Sequence, residues 1–227
     1  MRLILIFLVG LPLIFFPSCQ PDNKKTIKEG FIKYDISYPN EEKYGFKALL
    51  LPGSMTTHFE KNMVRNTFKA GKGYRFSLIT NSKKDYLIGL FELSDKKYYY
   101  IEDENVESSV FYDALPGIVI TPAKETKKIA GHTSHSAIVK SDRNDFEPYT
   151  IWFTKSIKIN RPNHKNPYES MDAMLTDFRL NLYNIDMHFT AKKIKKQKIN
   201  KEIFEIPPGY QRINKSSVKK LLSLLDH

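Results

Sequence analysis

Cysteine is almost missing: Cys19 stands alone among 227 residues. An internal disulfide, a cluster of thiolate metal ligands and a catalytic thiol farther along the chain are therefore excluded. Long apolar runs are scarce as well. The main one, Leu3–Phe16, has 14 residues and carries Pro12, which leaves it short of the roughly 20 that a membrane-spanning helix needs. There is no G-x-S-x-G nucleophile elbow, no H-E-x-x-H and no phosphate-cradling P-loop. Gly71-Lys72-Gly73 lacks the strand-to-helix context of a phosphate loop and reads as a hairpin turn. Internal repeats and low-complexity segments are absent too.

What the chain does have begins at its first residues. Arg2 supplies a positive start, Leu3–Phe16 an apolar core, and Phe16-Pro17-Ser18-Cys19 leads into the polar Gln20-Pro21-Asp22-Asn23-Lys24-Lys25. This is the layout of a signal peptide. Small Ser18 directly before a cysteine resembles a lipobox, although Phe16 stands where leucine is usual. Residues 1–18 are thus expected to be a lipoprotein signal peptide and Cys19 the lipid-anchored first residue of the exported chain. Acylation would also remove a thiol that has no partner. The expected location is the cell envelope, anchored to the outer membrane and facing the periplasm or the cell surface. Lys and Arg number 36 against 25 Asp and Glu, a net charge of +11. Such a balance suits anionic lipid headgroups, lipopolysaccharide or nucleic acid, and export argues against nucleic acid.

After a tether over residues 19–29, the pattern turns to period two. Ile32, Tyr34, Ile36 and Tyr38 share one face of a half-buried strand. Further strands are expected at 54–61, 63–70, 74–80, 85–93, 97–101, 118–128, 132–140, 149–154, 175–183 and 187–195, with turn residues every 8–12 positions. Residues 160–173, with Pro162 and Pro167, read as a long loop. The segment 214–227 is an amphipathic helix, capped by Asn214 or Ser216, with Val218, Leu221, Leu222 and Leu225 on one face. Residues 30–213 are expected to form one β-rich domain.

Three spaced segments resemble a known family. They are Lys127-Lys128-Ile129-Ala130-Gly131, then Tyr149-Thr150-Ile151-Trp152-Phe153-Thr154, then Phe189-Thr190-Ala191-Lys192 together with Phe204-Glu205-Ile206-Pro207-Pro208-Gly209-Tyr210. The resemblance is to bacterial lipoproteins of unknown function built on a LolA/LolB-like domain, and it is clearest over residues 120–213. It implies a mainly β (α+β) fold: a single antiparallel open half-barrel with a few helices, including a C-terminal one. In LolA and LolB relatives the concave face holds acyl chains. Ser134 stands where the family often has cysteine, and Ala173-Met174 where a glycine is common.

Reactive constellations are not evident. His132 and His135 lie three apart, but on a strand these positions face opposite sides, and no third ligand follows. No metal site, cofactor or catalytic residue is expected, and the chain is read as non-enzymatic. The leading expectation is a protein that binds an apolar or acyl ligand against Ile32, Tyr34, Phe76, Leu78, Leu90 and Trp152. The alternative is a structural or interaction lipoprotein whose interior is packed and ligand-free. Expected partners are the membrane, through the anchor, an acyl ligand and an envelope protein. The lysine-rich Lys192–Lys198 reads either as a guard on an edge strand or as a contact for anionic membrane.

Overall fold

The computed structural model describes residues 26–226 apart from 71–73, 103–108, 114, 116, 144–145 and 183. The expected signal segment, residues 1–18, and Cys19 lie outside the described residues. The strands are β1 (Glu29–Ser37), β2 (Ser54–Glu60), β3 (Met63–Ala70), β4 (Tyr74–Asn81), β5 (Tyr86–Leu93), β6 (Lys96–Glu102), β7 (Val119–Ile129), β8 (His132–Lys140), β9 (Tyr149–Thr154), β10 (Met174–Leu182), β11 (Ile185–Lys196) and β12 (Gln211–Arg212). One α-helix, α1 (Lys215–Asp226), and 3-10 helices at Glu41–Leu50 and Lys201–Phe204 complete the fold.

Hairpins fold β2–β6 and β7–β11 into two meanders. Strand β1 joins them, pairing with β2 on one side and β11 on the other. The result is one 12-stranded sheet in the order β12-β6-β5-β4-β3-β2-β1-β11-β10-β9-β8-β7. Neighbours run antiparallel except β12, which lies parallel to β6. At the β7–β8 turn both Ala130 (φ 49°) and Gly131 (φ 78°) take positive φ, the geometry of a two-residue hairpin turn. Ile27, inside the expected tether, is already docked: its N–H donates to Ser156 O at 2.8 Å and its carbonyl accepts from Lys158 N at 2.9 Å.

The half-barrel expected from the sequence is not what these strands form. They make an open, mixed sheet with free edges at β12 and β7. A half-barrel wall has one covered and one solvated face, whereas β4 and β5 are covered on both. Leu78, Leu87 and Phe91 face the main core, while Ile79, Ile88 and Leu90 pack with Ile199 and Phe204 on the outer face. The chain after β11 turns back across that outer face and lays β12 beside β6. Strands buried on two sides read as near-continuous apolar runs, and Tyr86-Leu87-Ile88-Gly89-Leu90-Phe91 is such a run.

The main face is crossed by the segment 110–113. Val110 N donates to Glu102 Oε1 (2.5 Å), and Asp113 N donates to Asn181 O (3.1 Å) on β10. Helix α1 packs Val218 and Leu222 into the same core, with Asn214 Oδ1 accepting from Ser217 N at 2.9 Å as its cap. Glu102 is buried, and burial pushes its carboxyl above the usual carboxylate range, against the lowering effect of the Val110 N–H and Ser109. An acid whose folded value is raised contributes stability that is complete below its ordinary value of 4.5 and lost as pH rises through the folded value. Glu102→Gln is therefore expected to flatten the decline in melting temperature above that point. A slope identical to wild type in a pH-resolved thermal melt would assign the decline to another group.

Candidate functional site

Each of the six residues expected to face a ligand has a place in the fold, but they do not share a surface. Ile32 and Leu78 are fully buried, each at 0% exposure. The Tyr34 hydroxyl donates to Leu175 O at 2.7 Å, and its ring meets Phe178 edge-on at 5.7 Å. Phe76 stacks on Phe68 with centroids 5.6 Å apart. These four lie on the main face, together with the core. Leu90 points to the opposite face with Ile79 and Phe204. Trp152, opposite Asp177 in the β9–β10 register, is partly buried against the main core, with Lys127 Nζ 4.1 Å from its ring.

The interior these residues build is close to full. Between Phe68, Phe76, Phe91, Met187 and Leu222 there remains a cavity of about 100 Å³. A second gap, beside Tyr34 and Phe178, is about 30 Å³. Ligand pockets usually start near roughly 300 Å³.

A larger space opens at the other end of the main face. A groove of about 710 Å³ runs beside β7–β9, floored by Ile120, Pro122, Ala137 and Phe153 and walled by Ile157, Ile159 and Met171. Strand pairing creates the floor. Pro122 sits opposite Ala137 across β7–β8, and proline is tolerated there because β7 is an edge strand. The small Ala137 leaves the depth. The far wall is the 155–173 connection, held by buried Asn163, whose Nδ2 donates to Met171 O (2.8 Å) and Ala173 O (2.9 Å). Asp172 Oδ1 accepts from Arg161 N at 3.3 Å.

Lys155 and Lys158 are both exposed and also line this groove, with Asp172. Among the described residues no carboxylate is ion-paired to either lysine. An apolar trough with cations on its rim matches a ligand that has an apolar body and an anionic end. Among the described residues the lining contains no histidine. A serine–histidine contact does stand nearby, Ser156 Oγ to His132 Nδ1 at 2.9 Å, but that hydroxyl is shared with Thr154 Oγ1 at 2.9 Å and lies outside the groove lining. His135 packs against Phe153 with ring centroids 5.7 Å apart. Among the described residues no group of three or more His, Cys, Asp or Glu is arranged to hold a metal ion.

The groove residues were not singled out by sequence reasoning. Lys155-Ser156-Ile157-Lys158-Ile159 has apolar residues two apart, a usable signal, but it adjoins a segment whose prolines mark a loop.

No family model matches the chain, and no curated protein matches it. Among solved structures it is similar to PNGF-II, seen in two crystal forms, P21 and C2. Both superpose with a TM-score of 0.52 at 12% identity over 87% of this chain. They are matched over 34% and 33% of their own length, so the chain spans about a third of PNGF-II. At that identity the likeness concerns the fold alone.

Proposed function

We propose that this chain is a non-enzymatic envelope lipoprotein, tethered through Cys19, that holds an acyl-chain ligand with an anionic end in the groove beside β7–β9. The observation that carries the reading is the groove itself: about 710 Å³ of space, an apolar floor and two rim lysines that no carboxylate among the described residues pairs with. Each methylene buried there contributes about 0.8 kcal/mol before ordering costs. The leader and the lipobox-like Phe16-Pro17-Ser18-Cys19 supply the anchor and the envelope location.

A fluorescent fatty-acid analogue titrated into the full chain tests this. Ser170→Trp, at an exposed lining position, is expected to weaken binding about tenfold or more, a loss of at least about 1.4 kcal/mol. Lys155→Glu with Lys158→Glu is expected to weaken it too and to abolish its salt dependence. Absence of binding by the wild-type chain, together with lipid-free protein when purified from its own host, would overturn the acyl reading.

A second reading, an interaction lipoprotein with a filled interior, is favoured by the main-core cavity of only about 100 Å³. Its edge would be β7, where Val119 is 60% exposed and the outward backbone groups could pair with a partner strand.

A further inference from the structure

The outer face of β1–β4 carries a charge arrangement that folding alone disfavours. In the β1–β11 register Lys33 stands directly opposite Lys193, and Lys195 follows opposite Phe31. Two strands away, Lys69 stands directly opposite Arg75 across β3–β4. Like charges facing one another across a sheet are destabilising. Two such pairs on one face call for an explanation beyond solubility.

Between them lies a depression of about 510 Å³. Its lining includes Lys33, His58, Arg65, Lys69 and Arg75, with Phe31 beside the imidazole at 6.0 Å between ring centroids. No carboxylate is among the described lining residues. Asp35 and Glu92, on the same face, are already engaged: Asp35 with Lys192 (3.3 Å), Glu92 with Arg75 (3.2 Å) and with the Tyr210 hydroxyl (2.7 Å).

Arg65 is the centre of the arrangement. Its guanidinium donates to Ile203 O (2.7 Å), Ser77 Oγ (3.1 Å) and Thr67 Oγ1 (3.3 Å), all neutral acceptors. Three of five N–H groups are thus used for orientation, and among the described residues no carboxylate is ion-paired to the half-buried charge; the carboxylate that acts on it electrostatically, Glu92, is itself bound to Arg75 and Tyr210. His58 Nδ1 is buried without a hydrogen-bond partner among the described residues. Burial lowers the Arg65 value against the raising effect of Tyr210 and Glu92, with Arg75 adding a smaller lowering, and burial and Arg65 lower that of His58.

We propose that this outer-face pocket is a binding site for a diphosphate or multiply charged phosphate ester, gripped by Arg65 between Lys33 and Lys69. A fixed guanidinium matches phosphate oxygens in two-point contact, and flanking lysines add charge without geometry. The same chemistry is offered by a free diphosphate and by a phosphate-bearing lipid headgroup. The site lies on the face opposite the acyl groove and does not depend on it.

The test uses the full chain and its Lys33→Gln/Lys69→Gln variant, both positions being exposed. Pyrophosphate is titrated at low ionic strength, and flotation is measured on phosphatidylcholine vesicles with and without phosphatidic acid. Wild-type binding of pyrophosphate, weakened at least about tenfold in the variant, identifies a free-phosphate site. Phosphatidic-acid-dependent flotation that the variant loses, without pyrophosphate binding, identifies the headgroup as the source. A second readout separates a site from a solvated surface: without ligand the variant is expected to melt at a higher temperature than wild type, because an opposed charge has been removed from each pair. Failure to bind either probe, or equal binding by the variant, would overturn the proposal. So would a variant that melts at the same temperature as wild type or lower.

Discussion

Phe111→Ala is expected to cost about 3–5 kcal/mol of stability, the range for truncating a buried phenylalanine. The ring is 1% exposed and lies within 5.7 Å of Phe76 and 6.2 Å of both Phe91 and Tyr100, centroid to centroid. It also seats on Gly89, where an added Cβ would come within 2.3 Å of Phe111 Cζ. The 110–113 segment bridges the two meanders through Glu102, Asn181 and Asn184, whose N–H donates to Asp113 Oδ2 at 2.7 Å. Removing the ring opens a cavity and loosens this strap together. Chemical denaturation should show the loss, and melting should fall by roughly 6–20 °C. Gly89→Ala alone should also destabilise, through the clash, yet cost much less in the Phe111→Ala background. A double-mutant cycle that gives simple additivity would show that the two positions do not meet as described.

Cys19→Ala is expected to produce the largest change in behaviour. In the proposed lipoprotein this thiol carries the acyl chains, and each buried methylene contributes about 0.8 kcal/mol to membrane attachment. The variant should incorporate no palmitate analogue and should move from the membrane to the soluble fraction. The lysines of the outer face do not substitute for it, since each adds only about 1 kcal/mol near an anionic surface. A wild-type product that begins at Met1 and carries no fatty modification would end the proposal. Protease shaving of intact cells then reports which side of the membrane the domain faces.

Local pattern made much of the strand layout legible. The Ile32-Tyr34-Ile36 alternation marks β1, and the turn residues at Asn62, Gly131 and Ser94-Asp95 separate strands where the hairpins do turn, with Lys61 leaving the expected strand for the turn. Asn214 and the Val218–Leu222 spacing mark α1. The Glu41–Leu50 3-10 helix and the two-residue β12 left no readable signal: the first is short-range and irregular, the second too brief for alternation to show. Lys192–Lys198 shows how topology refines a reading from composition. Its β11 is interior to the sheet, between β1 and β10. Its lysine end pairs with β1 only, because β10 is in register with Ile185–Thr190 alone. Edge character is thus a property of part of a strand, which composition does not reveal. Leu90 was grouped with Ile32 and Leu78 because alternation gives two faces without saying which of them meets the same core.

Taken alone, the amino-acid order determined where most strands and turns fall, the amphipathic C-terminal helix, the solitary thiol behind an apolar run and the excess of positive charge. Those are properties of neighbours in sequence, set by backbone preference and side-chain period. Tertiary structure decided that the sheet is open and covered on both faces in β4–β5. It also decided that the main core is filled, that the spacious groove lies at the β7–β9 edge, and that Lys33, Arg65 and Lys69 converge. Each of these depends on β1 pairing with β11 across more than 150 residues of chain and on the chain after β11 folding back over the sheet. Such contacts are chosen by how complete surfaces fit together, which no short window of sequence contains.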